Sequence, residues 1–168
     1  MGKNIVLIGM PGCGKTTIGK LVSEKLQYGF VDMDQYIEEI QGQTIRDMFQ
    51  EGETFFRDKE TTACKELSKC SSKVISTGGG VIKRSENIGY LKENSIIIFI
   101  DRNIEDIIGD VNIYSRPLLK EGTGKLYELY EERYDLYKKY SELTIINKGS
   151  LEEVAEKIVS KIAISDII

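Results

Sequence analysis

Histidine is absent from this 168-residue chain. Its absence excludes imidazole acid–base chemistry and every His-ligated metal site. Cysteine is scarce. Cys13, Cys64 and Cys70 are an odd number at spacings that fit no metal site, which points to free thiols in a reducing cytosol. No run of about 18 apolar residues is present to span a bilayer. Met1-Gly2-Lys3-Asn4 leads straight into a short apolar run with no signal-peptide pattern, and Val6 stands where a myristoylation motif requires Ser or Thr. The cytoplasm is therefore the expected location. An excess of positive charge is also lacking: 23 Lys and Arg against 27 Asp and Glu leave a net charge of −4, with no basic field to attract nucleic acid. Repeats, low-complexity tracts and linkers are missing as well.

What remains is ordinary globular composition, 40% hydrophobic and 30% charged, at a length that suits one domain. One stretch stands out. Directly after the apolar run Ile5–Ile8, Gly9 to Thr16 reads GMPGCGKT, which fits the phosphate-cradling pattern G-x-x-x-x-G-K-[ST]. A polyphosphate needs several N–H donors converging on its oxygens, and glycines let the backbone close around such an anion. A helix starting at about Gly14 would turn its unpaired N–H groups toward the same oxygens. Lys15 adds a full positive charge, and Thr16 a hydroxyl for Mg²⁺. The alternative, a glycine-rich turn without a ligand, fits poorly with a full match between strand and helix.

Ile18, Leu21, Val22 and Leu26 recur at helical spacing and predict a first helix ending near Tyr28-Gly29. Strands are expected at Gly29 to Asp32, Lys73 to Ser76, Ile96 to Ile100 and Leu143 to Ile146. Between the first two of these, Gln35 to about Cys70 reads as helical, broken at Gly42 and Gly52. Helices are further expected at Ile104 to Ile108, at Lys125 to Tyr140, and at the C-terminus through Leu151, Val154, Ile158 and Ile162. Gly109 to Gly122 lacks either periodicity and carries Arg116, as a lid would. Alternating strands and helices imply a mainly parallel sheet covered on both faces, with ligands at the carboxyl ends of its strands. The insertion 34–72 is too long for a simple crossover and suits a substrate-binding subdomain.

Four further features admit two readings each. Asp32 and Asp34, two apart at a strand end, would face one pocket and serve a kinase as metal-side and acceptor-side carboxylates; they would equally cap the next helix. In Gly52-Glu53-Thr54-Phe55-Phe56-Arg57-Asp58-Lys59-Glu60, Arg57 lies at helical spacing from Glu53 and Glu60. That is either a solvated ion-pair ladder or a guanidinium aimed at a substrate carboxylate. Gly78-Gly79-Gly80 makes a close approach to a ligand or a simple tight turn. Arg133 is a surface charge beside Glu131 and Glu132, or a second anion contact.

Taken together these motifs resemble shikimate kinase along nearly the whole chain: GMPGCGKT, VDMD, GETFFRDKE, the GGG turn, SRPLL from Ser115 to Leu119, and ERYDLY from Glu132 to Tyr137. The resemblance implies a P-loop NTPase-type three-layer α/β/α fold, similar to nucleoside monophosphate kinases. Its five-stranded parallel sheet would have the order 2-3-1-4-5, with 1–168 as one kinase domain, 34–72 binding shikimate and 109–122 as lid. It implies ATP on Gly12, Cys13, Gly14, Lys15, Thr16, Thr17 and Arg116, and Mg²⁺ near Thr16 and Asp32. Shikimate would lie on Asp34, Arg57, Gly78, Gly79, Gly80 and Arg133, with Glu60 buttressing Arg57 and Phe49 and Phe56 lining the pocket. Lys15, Asp34 and Arg116 would be the catalytic set, Asp34 being the candidate base. At two places where family members often carry arginine, this chain has Gly109 and Asn147-Lys148-Gly149. A monomer with small-molecule substrates, and with no nucleic-acid or membrane partner, is the expectation.

Overall fold

The computed structural model describes residues 2–110 and 123–164. The apolar run after Lys3 becomes β1 (Asn4–Ile8), and every one of its residues is buried. An unbroken buried run of this kind requires cover on both faces, the hallmark of a central parallel strand. β1 lies between β3 (Lys73–Ser76) and β4 (Ser95–Asp101), with Val6 in register with Ile75 on one side and Ile97 on the other. β2 (Gly29–Asp32) extends the sheet beyond β3, and β5 (Leu143–Ile146) beyond β4. The order β2-β3-β1-β4-β5 is parallel throughout, as the resemblance implied.

Each break in the helical stretches has a local cause. Helix α1 (Lys15–Leu26) starts after Gly14 and stops where Gln27 turns left-handed (φ 56°). Asp32 caps α2 (Met33–Gln41), its Oδ1 accepting from the N–H groups of Asp34 and Gln35, and Gly42 (φ 66°) ends that helix. Thr44 caps α3 (Ile45–Glu51) by accepting from the Asp47 N–H at 3.2 Å, and Gly52 (φ 128°) separates α3 from α4 (Glu53–Leu67). Both glycine breaks fall where the sequence put them, because a left-handed or otherwise positive φ strains any other residue.

A short 3-10 turn (Val81–Lys83) leads into α5 (Ser85–Lys92), a helix that the sequence pattern did not signal. One of its three buried positions is Asn87, whose amide donates to the Val81 carbonyl at 3.0 Å, so its apolar stripe is interrupted. Helix α6 (Ile104–Asp110) runs two residues past the expected end and takes in Gly109. The expected lid therefore loses its first two residues to a helix. Its remaining part, 111–122, lies outside the described residues, and Arg116 with it. Helices α7 (Thr123–Tyr140) and α8 (Leu151–Ile164) complete the chain. α8 packs on α1, while α7 seats Tyr137 on Phe99 of β4, ring centroids 5.2 Å apart. Among the described residues no helix is long and apolar enough to cross a membrane.

The sheet thus presents the carboxyl ends of β1, β2 and β3 along one edge. The loop after β1, the acids after β2 and the glycines after β3 emerge side by side there, above a cleft of about 790 Å³.

Candidate active site

The loop after β1 curls into a partial ring of backbone, the Cys13 N–H donating to the Met10 carbonyl at 3.1 Å. Gly12 (φ 83°) and Gly14 (φ 100°) take conformations that side chains resist, and Gly14 forms the N-terminus of α1. Lys15 is buried, and its Nζ bridges the ring by donating to the carbonyls of Gly9 at 2.8 Å and Met10 at 2.9 Å, with the Cys13 thiol at 3.7 Å. The ammonium therefore sits over the ring, where an anion would displace its carbonyl contacts. Gly12, Gly14, Lys15, Thr16 and Thr17 line the cleft. Cys13 does not: its thiol is fully buried beneath the loop.

At the start of α1 three oxygens gather. Thr16 Oγ1 donates to Asp32 Oδ2 at 2.9 Å and lies 3.2 Å from Ser76 Oγ at the end of β3. One carboxylate and two hydroxyls beside a phosphate loop suit Mg²⁺, which takes few protein ligands and fills its shell with water and substrate phosphate. Among the described residues no group of three or more Asp, Glu, Cys and His side chains forms a self-sufficient metal cage. The set therefore fits a metal delivered with its nucleotide. Ser76 had no distinguishing signal in the sequence.

Asp34 reaches the same cleft by a route other than the expected one. Residues two apart along a strand would share a face, but the strand stops at Asp32, whose side chain turns to cap the helix, and Asp34 projects from the first turn of α2. Both the capping and the pocket reading of this pair are thus realised. The Asp34 side chain opens to the cleft but is hemmed in by protein on its other sides. This crowding raises its pKa above the ordinary 3.8, helped by the charge of Asp32 and opposed by Lys15 and Arg57.

Arg57 settles against the surface-ladder reading. Its Nη1 donates to Glu60 Oε2 at 2.7 Å within the interior, and Glu60 is 1% exposed. Only Glu53, half exposed and shared with Lys83, belongs to the surface. The guanidinium also lies over the stacked rings of Phe49 and Phe56, 5.9 and 5.1 Å from their centroids. Burial raises the pKa of Glu60, Arg57 counteracting it, and Glu60 Oε1 has no hydrogen-bond partner.

The glycine turn accounts for itself by its neighbours. A Cβ on Gly80 would collide with the Arg57 guanidinium, one on Gly79 would press on Pro11 at 2.8 Å, and one on Gly78 would lie 2.9 Å from Asp34 Oδ1. Only bare backbone lets α2, α4 and the phosphate loop meet here. Gly78 and Gly79 line the cleft; Gly80, with the Arg57 guanidinium against it, follows them, and Arg133 lies near Glu60 and Tyr137. Arg133, 4% exposed, has a buried Nε without a hydrogen-bond partner, so it is no surface charge.

One helical turn beyond Arg133, the buried Tyr137 hydroxyl donates to the Gly79 carbonyl at 2.6 Å. This tyrosine packs in the core against Phe99 and is also the tether that holds α7 to the glycine turn. Tyr137→Phe is expected to lower stability by about 1 kcal/mol, because the Gly79 carbonyl loses its buried donor. For a domain of this size that corresponds to a melting midpoint about 2–4 °C lower by calorimetry.

Two more side chains reach the phosphate loop from distant sequence: Arg102 donates to the Gly12 carbonyl and Asn147 to the Cys13 carbonyl. Neither lies in a spacing pattern that singles it out.

With this geometry in view, comparison with known proteins is unambiguous. The family model for shikimate kinase matches residues 11–163. The shikimate kinase of Clostridium beijerinckii is 53% identical over 158 residues, 94% of each chain. That of Clostridium botulinum strain Alaska E43 is 50% identical, over 94% of this chain and 96% of the relative. Among solved structures, the shikimate kinase of Acinetobacter baumannii in complex with shikimate superposes with a TM-score of 0.92 at 34% identity, covering 100% of this chain and 97% of that one. The chain belongs to the shikimate kinase family.

Proposed function

We infer that the chain transfers the γ-phosphoryl group of ATP to the 3-hydroxyl of shikimate, giving shikimate 3-phosphate and ADP, a step toward aromatic amino acids. One observation carries the acceptor assignment. Two buried arginines converge beside the Gly78–Gly80 turn: Arg57 lies against Gly80, Arg133 acts on Glu60 and on Tyr137, which holds the Gly79 carbonyl, and Asp34 stands at Gly78. An acceptor bearing both a carboxylate and hydroxyls fits that polarity, the carboxylate on the arginines and a hydroxyl on Asp34. The relative from Acinetobacter baumannii was solved with shikimate, which supports the same reading.

In this reading the work of the protein is positioning and charge neutralisation. Loop N–H groups and Lys15 hold the donor phosphates; Arg116, from the RPLL stretch, adds a second cation to them. Asp34 accepts a hydrogen bond from the attacking hydroxyl and takes its proton. Glu60 fixes the plane of the Arg57 guanidinium, so that the remaining N–H groups face the acceptor carboxylate. Thr16 and Asp32, with Ser76 beside them, would hold Mg²⁺, which would supply charge neutralisation to the donor phosphates. Residues 34–72, with α2, α3 and α4, act as the acceptor-binding part. A cytoplasmic monomer is the simplest assembly for this chemistry.

The test is ADP release in a coupled assay with shikimate, gluconate and nucleoside monophosphates as acceptors; turnover is expected with shikimate alone. Preference for gluconate or a nucleotide would overturn the acceptor assignment. Arg133→Ala is expected to raise the KM for shikimate roughly 30-fold, as removal of one charge-assisted contact worth about 2 kcal/mol, and to leave the KM for ATP unchanged. Arg57→Lys is the matching variant at the other arginine, because Arg57→Ala would strand Glu60 as an unpaired buried carboxylate. A lysine keeps the charge but loses the fork, so a rise of roughly tenfold in the same KM is expected. Unchanged shikimate kinetics in both would defeat the carboxylate assignment.

A further inference from the structure

The phosphate loop is gripped from its outer side at two consecutive carbonyls. Arg102, the residue after β4, donates from Nη1 to the Gly12 carbonyl at 3.2 Å. Asn147, the residue after β5, donates from Nδ2 to the Cys13 carbonyl at 2.8 Å and is buried. The two grips are locked to one another, because the Asn147 N–H donates to the Asp101 carbonyl at 2.7 Å. Arg102 is steadied in turn by an ion pair from its other terminal nitrogen to Asp110 at the end of α6.

The consequence follows from peptide geometry. All described peptide bonds are trans, and in a planar trans peptide the N–H points opposite to the C=O. Holding the Cys13 carbonyl on Asn147 therefore turns the Gly14 N–H the other way, toward the cleft that Gly12 and Gly14 line. Without that donor the same peptide is free to rotate. Rotation would replace an N–H by a carbonyl oxygen facing the donor phosphates, exchanging attraction for repulsion. Gly14 leaves room for the amide: a Cβ there would stand 3.0 Å from Asn147 Nδ2.

We propose that Asn147, with Arg102 as its partner, is a positioning residue for the donor phosphates: it presets the peptide orientation of the phosphate loop, so the cradle is formed before nucleotide arrives. The proposal rests on the reading of this loop as the ATP site. It assigns a task to the post-β5 segment at the phosphates, through a side chain that touches the loop and not the nucleotide.

Titration calorimetry with MgADP on Asn147→Ala and Arg102→Gln tests it. Asn147→Ala is expected to weaken MgADP binding roughly tenfold, and Arg102→Gln, which removes the more solvent-accessible grip, roughly threefold. The KM for shikimate should stay within twofold of the parent in both. A merely structural role would loosen both substrate sites together, so an equal rise in the shikimate KM overturns the proposal. MgADP affinity within twofold of the parent in Asn147→Ala overturns it too. Should Asn147→Ala fail to fold, Arg102→Gln decides alone by the same criteria. A parent that binds MgADP but does not phosphorylate shikimate would fail the proposed function and leave this comparison intact.

Discussion

Replacing Lys15 by methionine is expected to lower kcat about 10³-fold while the KM for MgATP rises far less. The reason lies in where the ammonium is kept. Its Nζ is held over the loop by two carbonyls and lies close to a thiol, inside the protein, where a charge acts through little intervening water. A preorganised positive charge of this sort counts most where negative charge shifts during transfer, and removing one such group typically costs two to three orders of magnitude. Ground-state binding has other supports, in the loop N–H groups and the start of α1. Methionine keeps the length and apolar stem of lysine, so the fold and the cleft wall should persist. The measurement is a coupled assay at saturating shikimate, with calorimetric MgADP binding alongside. A loss confined to nucleotide affinity, with kcat retained, would show that Lys15 anchors the donor and does not assist transfer. Lys15→Arg is expected to stay equally impaired, because the larger planar guanidinium cannot occupy the compact position between the Gly9 and Met10 carbonyls.

Features with a local physical signature were the ones legible in the sequence. The apolar run of β1, the glycine-lysine loop and the breaks at Gly42 and Gly52 each depend on neighbours within a few residues, and each stands where it was expected. Arg57 was different. Its spacing to Glu53 and Glu60 favours a surface ladder, and the buried pair is set instead by Gly80, Phe49 and Asp34, which only the folded chain brings near. Ser76, Arg102, Tyr137 and Asn147 were illegible for the same reason. Their partners lie 58 to 134 residues away, and a lone serine, tyrosine or asparagine carries no pattern of its own. The sequence also drew the acid pair too simply, by extending strand alternation two residues past Asp32, which ends β2 and caps α2. The family resemblance supplied what local physics did not, because it joined motifs whose contact in space could not be computed from their spacing.

Asp34→Asn is expected to lower kcat/KM about 10³-fold and, in the protein without ligands, to raise the melting temperature at neutral pH. The activity loss follows from removing the only side chain of the described cleft that combines proton affinity with closeness to both Lys15 and Arg57; a general base typically contributes 10²- to 10⁴-fold. Asparagine still accepts a hydrogen bond, so the shikimate KM should move less than kcat. The stability gain follows from the sign of the pKa shift. Crowding by protein and the nearby Asp32 charge raise the folded-state pKa of Asp34 above its unfolded value, so the folded state holds the proton more tightly. That contribution to stability is full below the unfolded pKa and is lost as pH rises through the folded one. At neutral pH the ionised carboxylate is thus a cost that asparagine removes, while below the ordinary value of 3.8 the two proteins should melt alike. The same shift places the acid limb of kcat/KM above the ordinary aspartate range, and the variant's residual activity should lack that limb. Calorimetric scans across pH and the pH–rate profile check both halves. Activity within tenfold of the parent, or a lower melting temperature at pH 7, would remove Asp34 from its role as an aspartate kept in a costly environment for the sake of catalysis.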